Sequence, residues 1–424
     1  MIQTDYLKLK KDNICVPVMV TEYEEIKQIK KEDFKYNEFI ELRIDYIKEN
    51  ILENAVKICD YIKELMPEKM VIVTYRTFAE GGEGKHFGIK DGQSLWDAYE
   101  KLLMGIVQNV PCNLIDVEIN RGDEIINRVA EKAHEKNIAV ICSYHNFSCT
   151  PSTDEITNII KRMDNTDTDI IKMALMPQSV KDVCKLMKIS GSVSLFSQKP
   201  FISMAMGKMG EITRIFGYLY GSSLTFGTVG AASAPGQIES KELRMLINKI
   251  SDLKIAFTGF MGCGKSAVSR KMEELLMMDI ADTDDLIVER ENKSIPDIFK
   301  EDGEDYFRKT ETEVLKNLLL YNKPLVISCG GGIIKSETNR MLLKDGALTC
   351  LLKAKPETIL ERVKDDNNRP LLRGRKNVAD IEALIKERES FYNMVSDIVV
   401  ETDNRSLEEI TIEILQKTIE TLKK

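Results

Sequence analysis

Short apolar segments alternate with charged stretches of helical period along the first part of the chain. Eight of these segments have the length and composition of buried β-strands, and each is followed by a stretch with apolar residues at helical spacing. They are ICVPVMV (14–20), FIELRID (39–45), MVIVTYR (70–76), NLIDVEI (113–119), IAVICSYH (138–145), DIIKMALM (169–176), FISMAMG (201–207) and LTFGTV (224–229). Eight strand–helix units in about 250 residues predict a (β/α)8 barrel, although a doubly wound open sheet gives the same alternation.

The alternation restarts after Ser251-Asp252 with the apolar strand LKIAFTGF and continues to the end of the sequence. A second α/β unit is therefore predicted, with domains at 1–252 and 253–424 joined by a very short linker.

The composition is that of a globular protein, with 43% hydrophobic and 30% charged residues among 424. A net charge of −8 argues against a nucleic-acid or anionic-membrane surface, so we expect small-molecule substrates. The nine cysteines are scattered and never spaced as CxxC, which fits a reducing cytoplasm. No segment approaches the roughly 18 apolar residues of a membrane span, and the first residues have no apolar signal-peptide core. We expect a soluble, cytoplasmic protein.

One lysine interrupts an apolar strand, because Lys172 lies within DIIKMALM. Strand residues two apart share a face, and other strands place polar pairs near their C-terminal ends, where a barrel has its active site. These pairs are Glu41 with Arg43, Thr74 with Arg76, Asp116 with Glu118, and Ser143 with His145. Buried charges need partners, so this interior predicts either a structural ion-pair network or a site for a charged ligand.

A desolvated lysine near arginines loses affinity for its proton, which predicts that Lys172 is a free amine at neutral pH. Such an amine attacks a ketone and forms an imine, whose protonated nitrogen accepts electrons when a neighbouring C–H is deprotonated. His145, on the adjacent strand, is the obvious base. For Lys172 considered alone, a lysine whose ammonium reaches solvent is the alternative interpretation.

Several strings in this region together resemble type I 3-dehydroquinate dehydratase over residues 1 to about 252. They are ELRID, TYRTFAEGG, DVE, SYHNF, DIIKMALMP, AMGKMGEITR and SAPGQ, in this order. The resemblance implies a Schiff-base dehydration of 3-dehydroquinate to 3-dehydroshikimate without metal or cofactor. It gives Lys172 the imine, His145 the proton transfers, and Glu80 the orientation of the imidazole. The implied substrate contacts are Arg214, Ser233 and Gln237 to the carboxylate, and Glu41, Arg43 and Arg76 to the ring hydroxyls.

The other two histidines and the single tryptophan receive no catalytic role. His134 lies in the helical stretch EIINRVAEKAHEKN, where we expect a solvated side chain, and His86 follows EGGEGK in a predicted loop. Trp96 is expected to serve packing.

The string GFMGCGKS, residues 259–266, matches GxxxxGK[ST] between an apolar strand and an amphipathic helix. In this context its backbone N–H groups converge on phosphate, Lys265 reaches the outer phosphates and Ser266 ligates magnesium. The motif predicts a P-loop kinase domain, with a parallel sheet flanked by helices, that uses ATP and Mg²⁺. The predicted ATP contacts in the loop are Gly262, Cys263, Gly264, Lys265, Ser266 and Ala267.

The remainder of this domain resembles shikimate kinase over about 253–424, through DTD (282–284), GEDYFRKTE (303–311), CGGG (329–332), NRPLL (368–372) and RESFY (388–392). The resemblance implies that Arg308, Arg388 and the backbone at Gly331 hold the acceptor carboxylate. Asp284 would bind the acceptor hydroxyls and take the proton of the attacking one, while Asp282 would hold magnesium through water. The resemblance further implies a lid whose Arg369 closes on ATP. It also implies that Phe299 and Phe307 form a wall of the acceptor site and that Glu311 supports Arg308.

The two resemblances correspond to the third and fifth steps of the shikimate pathway, with an NADPH-dependent reduction between them. The sequence contains no strand-GxGxxG-helix fingerprint, so we expect two independent active sites and a separate shikimate dehydrogenase. Related barrels imply a homodimer through the first domain.

Three alternatives stay open at this stage. The barrel could be another Schiff-base lyase, such as a class I aldolase, or the kinase could act on a different small polyol acid. In a different class of function, one half could be a catalytically silent scaffold or regulatory module.

Overall fold

The chain is described by a computed structural model that covers residues 12–83, 95–230, 232–363 and 377–424. Its internal contacts divide it into two compact units, Met1–Ile247 and Asn248–Lys424. The domain boundary at residue 252 stays a prediction. Within the described ranges, no helix combines the length and the apolar character that crossing a bilayer requires.

The first unit is a nearly closed barrel of parallel strands, each at the position of one of the predicted apolar segments. The strands are β1 (Ile14–Val18), β2 (Phe39–Arg43), β3 (Met70–Thr74), β4 (Leu114–Glu118), β5 (Ala139–Asn146), β6 (Ile170–Leu175), β7 (Phe201–Ala205) and β8 (Thr225–Phe226). Their order is β7-β6-β5-β4-β3-β2-β1-β8. A parallel bridge between Phe201 and Ser222 brings the approach to β8 beside β7, which confirms the barrel and excludes an open sheet.

Each strand of this unit is followed by a helix, as a barrel requires. They are α1 (Tyr23–Ile26), α2 (Ile51–Leu65), α3 (Leu95–Asn109), α4 (Asp123–Glu135), α5 (Thr153–Asp164), α6 (Val180–Ser192), α7 (Glu211–Phe216) and α8 (Ser240–Ile250).

An apolar layer fills the barrel interior below its polar residues. Buried side chains from successive strands form one cluster that includes Phe39, Ile72, Leu114, Ile141 and Ile170. Strand side chains alternate between faces, so the residues two positions further along point into the same interior. These are Glu41, Thr74, Asp116, Ser143 and Lys172, all buried. The polar layer thus lies directly against this apolar layer, on the side of the C-terminal ends of the strands.

The second unit is a parallel sheet flanked by helices, as predicted. Its strands are β9 (Lys254–Thr258), β10 (Asp279–Asp282), β11 (Leu325–Ser328), β12 (Leu348–Lys353) and β13 (Ile398–Glu401), in the order β10-β11-β9-β12-β13. Its helices are α9 (Lys265–Leu276), α10 (Thr283–Glu291), α11 (Ile295–Glu301), α12 (Glu304–Leu319), α13 (Glu337–Gly346), α14 (Pro356–Val363), α15 (Val378–Val395) and α16 (Leu407–Lys423). The central strand β9 leads through the P-loop into α9, which places the loop at the C-terminal edge of the sheet.

Candidate active sites

A cavity opens at the C-terminal ends of the barrel strands, and it brings together every residue that the sequence assigned to this site. Its lining includes Glu41, Arg43, Arg76, Glu80, His145, Lys172, Arg214, Ser233 and Gln237. These residues come from several strands and from the loops that follow them, which is the arrangement of active sites in this fold.

Lys172 is 4% exposed and its ammonium contacts two carboxylates. Nζ lies 3.2 Å from Glu41 Oε1 and 3.3 Å from Asp116 Oδ2, and 4.4 Å from the ring centroid of Phe226. Besides the arginines that line the same cavity, two carboxylates lie next to this lysine, because register across the barrel brings Glu41 from β2 and Asp116 from β4 to it. The nitrogen of Lys172 is therefore buried between two carboxylates and an aromatic ring.

His145 and Glu80 form a buried pair. His145 Nδ1 lies 3.1 Å from Glu80 Oε2, and the backbone N–H of His145 donates to the same oxygen. Burial and the nearby Glu118 raise the pKa of Glu80 to about 8. Burial and the positive charge of Arg76 lower the pKa of His145 well below its usual value. Both shifts favour a neutral imidazole.

Arg76 is held by a buried acidic network that spans three strands. Its Nη2 donates to Asp116 Oδ1 at 2.8 Å, and Nη1 donates to Ser143 Oγ at 2.9 Å and to Glu118 Oε1 at 3.3 Å. Burial acts to raise the pKa of Asp116, but Arg76 and Lys172 outweigh it and lower that pKa below its usual value. The environment of Asp116 therefore favours its ionised form.

Arg214 is a buried guanidinium without a carboxylate partner among the described residues. Its Nη atoms donate to the carbonyls of Phe226 and Pro235, both at 3.3 Å, while Nε has no hydrogen-bond partner. Burial lowers the pKa of Arg214 to about 10. A charge buried in this way is costly unless an anion completes the site. Ser233 and Gln237, which hydrogen-bond each other at 3.1 Å, also line this cavity.

In the second unit, the loop between β9 and α9 depends on three glycines with positive φ: Gly259 at 140°, Gly262 at 80° and Gly264 at 105°. A Cβ at Gly262 would lie 2.8 Å from Val363 Cγ1, and one at Gly259 would collide with the carbonyl of Leu352. No side chain caps the N-terminus of α9. Its free N–H groups and the side chain of Lys265, which donates to Gly259 O at 2.9 Å, form a cradle for phosphate.

The CGGG segment lies between an acidic residue and two arginines. A Cβ at Gly330 would collide with Asp284, and one at Gly332 would lie 2.9 Å from Arg308 Nη1. Arg388 Nη1 donates to Gly331 O at 3.2 Å, and its buried Nε has no partner among the described residues. Because these glycines have no side chains, Asp284, Arg308 and Arg388 can all lie against the CGGG backbone.

Arg308 is held by Glu311, with Nη1 2.9 Å from Oε2. Burial raises the pKa of Glu311 to about 7, although Arg308 acts against this shift. Phe299 and Phe307, expected to form a wall, pack against each other with ring centroids 4.7 Å apart.

The predicted magnesium residues have a donor set that fits a hard cation. Asp282 Oδ1 accepts from the N–H of Asp284 at 3.0 Å and Oδ2 accepts from Ser328 Oγ at 2.7 Å, so its carboxylate is fixed in place. The described ranges hold no group of three or more His, Cys, Asp or Glu arranged for a metal. Mg²⁺ in nucleotide sites takes one or two protein ligands and completes its shell with water and phosphate, so Asp282 and Ser266 suffice.

Residues 14–254, more than half of the chain, match the family model of type I 3-dehydroquinase. The chain belongs to the type I 3-dehydroquinase family. Residues 261–419 match the family model of shikimate kinase. The chain thus carries a type I 3-dehydroquinase domain followed by a shikimate kinase domain, and it is a bifunctional enzyme of the shikimate pathway.

The dehydroquinase domain has close relatives of nearly the same length. A 3-dehydroquinate dehydratase of Clostridioides difficile is 36% identical over 240 residues, which cover 55% of this chain and 90% of the relative. A solved type I enzyme of Clostridium difficile, with covalently modified comenic acid, is 34% identical, with a TM-score of 0.50 and coverage of 56% and 92%. A solved shikimate kinase of Acinetobacter baumannii, in complex with shikimate, is 34% identical, with a TM-score of 0.39 and coverage of 41% and 96%.

One sequence prediction was wrong, and three others concern residues or side chains outside the described ones. His134 is not a solvated helix residue, because its side chain is 19% exposed and Nε2 lies 2.8 Å from the buried carboxylate of Asp169. Arg369 and His86 lie outside the described residues, as does the side chain of Trp96.

The predicted sites omitted two residues that the structure places in them. Asp116 contacts both Lys172 and Arg76, and only the strand alternation that pairs it with Glu118 pointed towards it. Arg362 of α14 donates to the P-loop carbonyl of Gly262 at 3.2 Å and belongs to no motif that could have identified it.

Proposed function

We propose that the barrel cavity binds 3-dehydroquinate and dehydrates it to 3-dehydroshikimate through an imine on Lys172. The observation that carries this proposal is a buried amine in the same cavity as a buried guanidinium, Arg214, that lacks a carboxylate partner. A substrate with a carboxylate and a ketone satisfies both groups. The covalently modified ligand in the solved relative supports a covalent mechanism in this family.

The substrate would be held at both ends. Arg214, with Ser233 and Gln237, would bind the carboxylate, since a guanidinium forms charge-assisted hydrogen bonds to carboxylates. Glu41, Arg43 and Arg76 would contact the ring hydroxyls, and Arg43 is itself fixed by a bidentate pair with Asp45, with Nη2 2.8 Å from Oδ2.

Dehydration would then proceed at the carbon next to the imine. The protonated imine withdraws electrons, so His145 can remove the neighbouring proton and return it to the departing hydroxyl as water leaves. The neutral imidazole that the environment of His145 favours is the form that accepts a proton. Glu80, bonded to Nδ1, would orient the ring so that Nε2 serves the substrate.

In the kinase domain, we propose that shikimate lies against the CGGG segment and receives the terminal phosphate of ATP. Arg388, Arg308 and the backbone at Gly331 would hold its carboxylate, and the partnerless Nε of Arg388 supports an anion there. Asp284 would bind the attacking hydroxyl and take its proton.

The P-loop would hold the phosphates of ATP through its backbone N–H groups, Lys265 and Ser266, with Cys263 and Ala267 in the same turn. Magnesium would be held by Ser266 and through water by Asp282, and it would supply charge neutralisation at the phosphates. Closure of Arg369 over ATP stays a prediction.

We also propose that a separate NADPH-dependent dehydrogenase connects the two reactions, because the product of the first is a ketone and the second acts on an alcohol. Kinase turnover of 3-dehydroshikimate without that enzyme would contradict this. A homodimer through the barrel rests on the family resemblance alone. All nine cysteines are free and eight of them are buried, which supports a cytoplasmic location.

The test follows both activities in one sample. Enone absorbance from 3-dehydroquinate and ATP-dependent phosphorylation of shikimate are measured in the wild type and in Lys172→Ala. We expect the variant to lose the first activity and to retain the second. Retention of dehydration would contradict the imine.

A further inference from the structure

One carbonyl of the CGGG segment accepts two hydrogen bonds from the same helix. Arg388 Nη1 and Tyr392 Oη both donate to Gly331 O, each at 3.2 Å. The two residues lie four positions apart on α15, so their side chains share one face of the helix. A carbonyl oxygen has two lone pairs and can accept from both donors at once. Gly331 O therefore stays hydrogen-bonded if one of the two donors leaves.

Arg388 cannot form a bidentate pair with a substrate carboxylate in this conformation. The residue is 2% exposed, and its Nε is buried and has no hydrogen-bond partner among the described residues. Its guanidinium lies over the ring of Phe260, with Cζ 5.7 Å from the ring centroid. An anion that enters from solvent can pair with this group through two parallel hydrogen bonds only after the guanidinium has turned towards it. That turn breaks the bond from Nη1 to Gly331 O.

Tyr392 is suited to keep this carbonyl bonded while Arg388 turns. Its side chain is 4% exposed and belongs to a buried apolar cluster that also contains Leu351 and Val395, so its ring is fixed by packing. Burial raises the pKa of Tyr392, so the hydroxyl keeps its proton and remains a donor. Because the phenol is neutral, a carboxylate attracts it less strongly than it attracts the guanidinium of Arg388.

The orientation of the Gly331 carbonyl matters for the acceptor site, because the backbone at Gly331 is itself proposed to hold the acceptor carboxylate. Glycine restricts its backbone dihedrals less than any other residue, so a carbonyl without a donor would leave this peptide free to turn. A partly buried carbonyl that loses its donors also costs free energy. One hydrogen bond that survives substrate binding avoids both effects.

We propose that Tyr392 is a positioning residue of the shikimate site, which holds the Gly331 carbonyl while Arg388 exchanges this carbonyl for the substrate carboxylate. In the free protein the carbonyl has both donors, and in the complex it has Tyr392 alone. Tyr392 thus acts through Arg388 and the CGGG backbone and does not itself touch shikimate. This inference rests on the proposed binding of the shikimate carboxylate by Arg388.

The test compares Tyr392→Phe with the wild-type full-length chain in the ATP-dependent phosphorylation of shikimate. Without the hydroxyl, Gly331 O keeps Arg388 as its donor in the free protein but has no donor in the complex, so the cost opposes binding. We expect KM for shikimate to rise about 10-fold, as expected when one partly buried acceptor loses its donor. The kcat and the KM for ATP should stay within about two-fold, because the bond is missing equally from the bound ground state and the transition state.

Tyr321→Phe is the matched control, because it removes a tyrosine hydroxyl of the same unit that donates to Asp279 Oδ2 at 2.6 Å. We expect it to leave kcat and both KM values unchanged. An unchanged KM for shikimate in Tyr392→Phe, a fall in kcat in its place, or a joint rise of both KM values from a structural defect would overturn the inference. An Arg388→Met variant with the wild-type KM for shikimate would instead overturn the proposed carboxylate site.

Discussion

The hydrogen bond between Glu80 and His145 makes the predicted rate of dehydration depend on pH. Burial and Glu118 raise the pKa of Glu80 to about 8, so below this pH the carboxyl holds a proton and donates it to Nδ1 of His145. The ring proton then lies on Nε2, which cannot act as a base. Above this pH, the carboxylate accepts from Nδ1–H and leaves Nε2 free.

We therefore expect kcat/KM for dehydration to rise with pH, with its midpoint near the Glu80 pKa of about 8. Glu80→Gln should remove this rise and lower kcat/KM about 10²-fold, because an amide cannot set the required tautomer. The pH profiles of the two proteins, with kinase activity measured in each sample, check this. An unchanged rise in Glu80→Gln would assign the titration to a different group.

The buried guanidinium of Arg214 destabilises the unliganded fold and favours binding of an anionic substrate. With no ligand bound, its guanidinium is buried, has an unbonded Nε and lacks a carboxylate partner among the described residues. Such strain is common where a site awaits a charged substrate.

Arg214→Met is expected to raise KM for 3-dehydroquinate about 10²-fold, equivalent to the roughly 3 kcal/mol that loss of a buried charge partner costs. The thermal midpoint should not fall. Arg128→Met, which removes an exposed arginine paired with Glu100, is the control and should change neither quantity. A large fall in the midpoint of Arg214→Met would show that the arginine is structural.

The P-loop shows how one element depends on backbone freedom. Gly262 has φ of 80°, and a Cβ there would lie 2.8 Å from Val363 Cγ1. Gly303 also has positive φ, 88°, but a Cβ there would meet nothing within 4 Å. An alanine at Gly303 would therefore add backbone strain alone, whereas an alanine at Gly262 would add both strain and a steric clash in the P-loop.

We expect Gly262→Ala to abolish most ATP binding and kinase activity while dehydration is retained. Gly303→Ala should cost about 1–3 kcal/mol of stability from strain alone, because its φ and ψ are ones that essentially only glycine adopts, and it should leave the KM for ATP unchanged. Calorimetric titration with ATP and thermal unfolding check both variants. Normal ATP affinity in Gly262→Ala would contradict the proposed phosphate cradle.

Strands and motifs were predictable because each depends on local sequence. Buried parallel strands are short apolar segments, and the P-loop needs its glycines at fixed spacing. Partners across the barrel were not predictable, since they depend on register and rotamers. Lys172 is paired with Asp116 from β4 and Glu41 from β2, which lie far away in sequence. His134 looks solvated in its helix, but packing of α4 on the sheet brings it to Asp169.

Each unit of the chain builds its own site. The barrel cavity is lined by residues between Glu41 and Gln237, and the kinase residues begin at the P-loop. We therefore expect Lys172→Ala and Lys265→Ala each to abolish one activity and to leave the other within about two-fold, because the units have separate cores. Assays of both activities in both variants check this, and a joint loss in either variant would show that the sites depend on each other.

The most direct measurement of the imine at Lys172 is chemical trapping. The protein is incubated with 3-dehydroquinate and sodium borohydride, digested, and analysed by mass spectrometry. A reduced substrate adduct on Lys172, absent in Lys172→Ala, is the predicted result. No adduct, or an adduct on another lysine, would contradict the account.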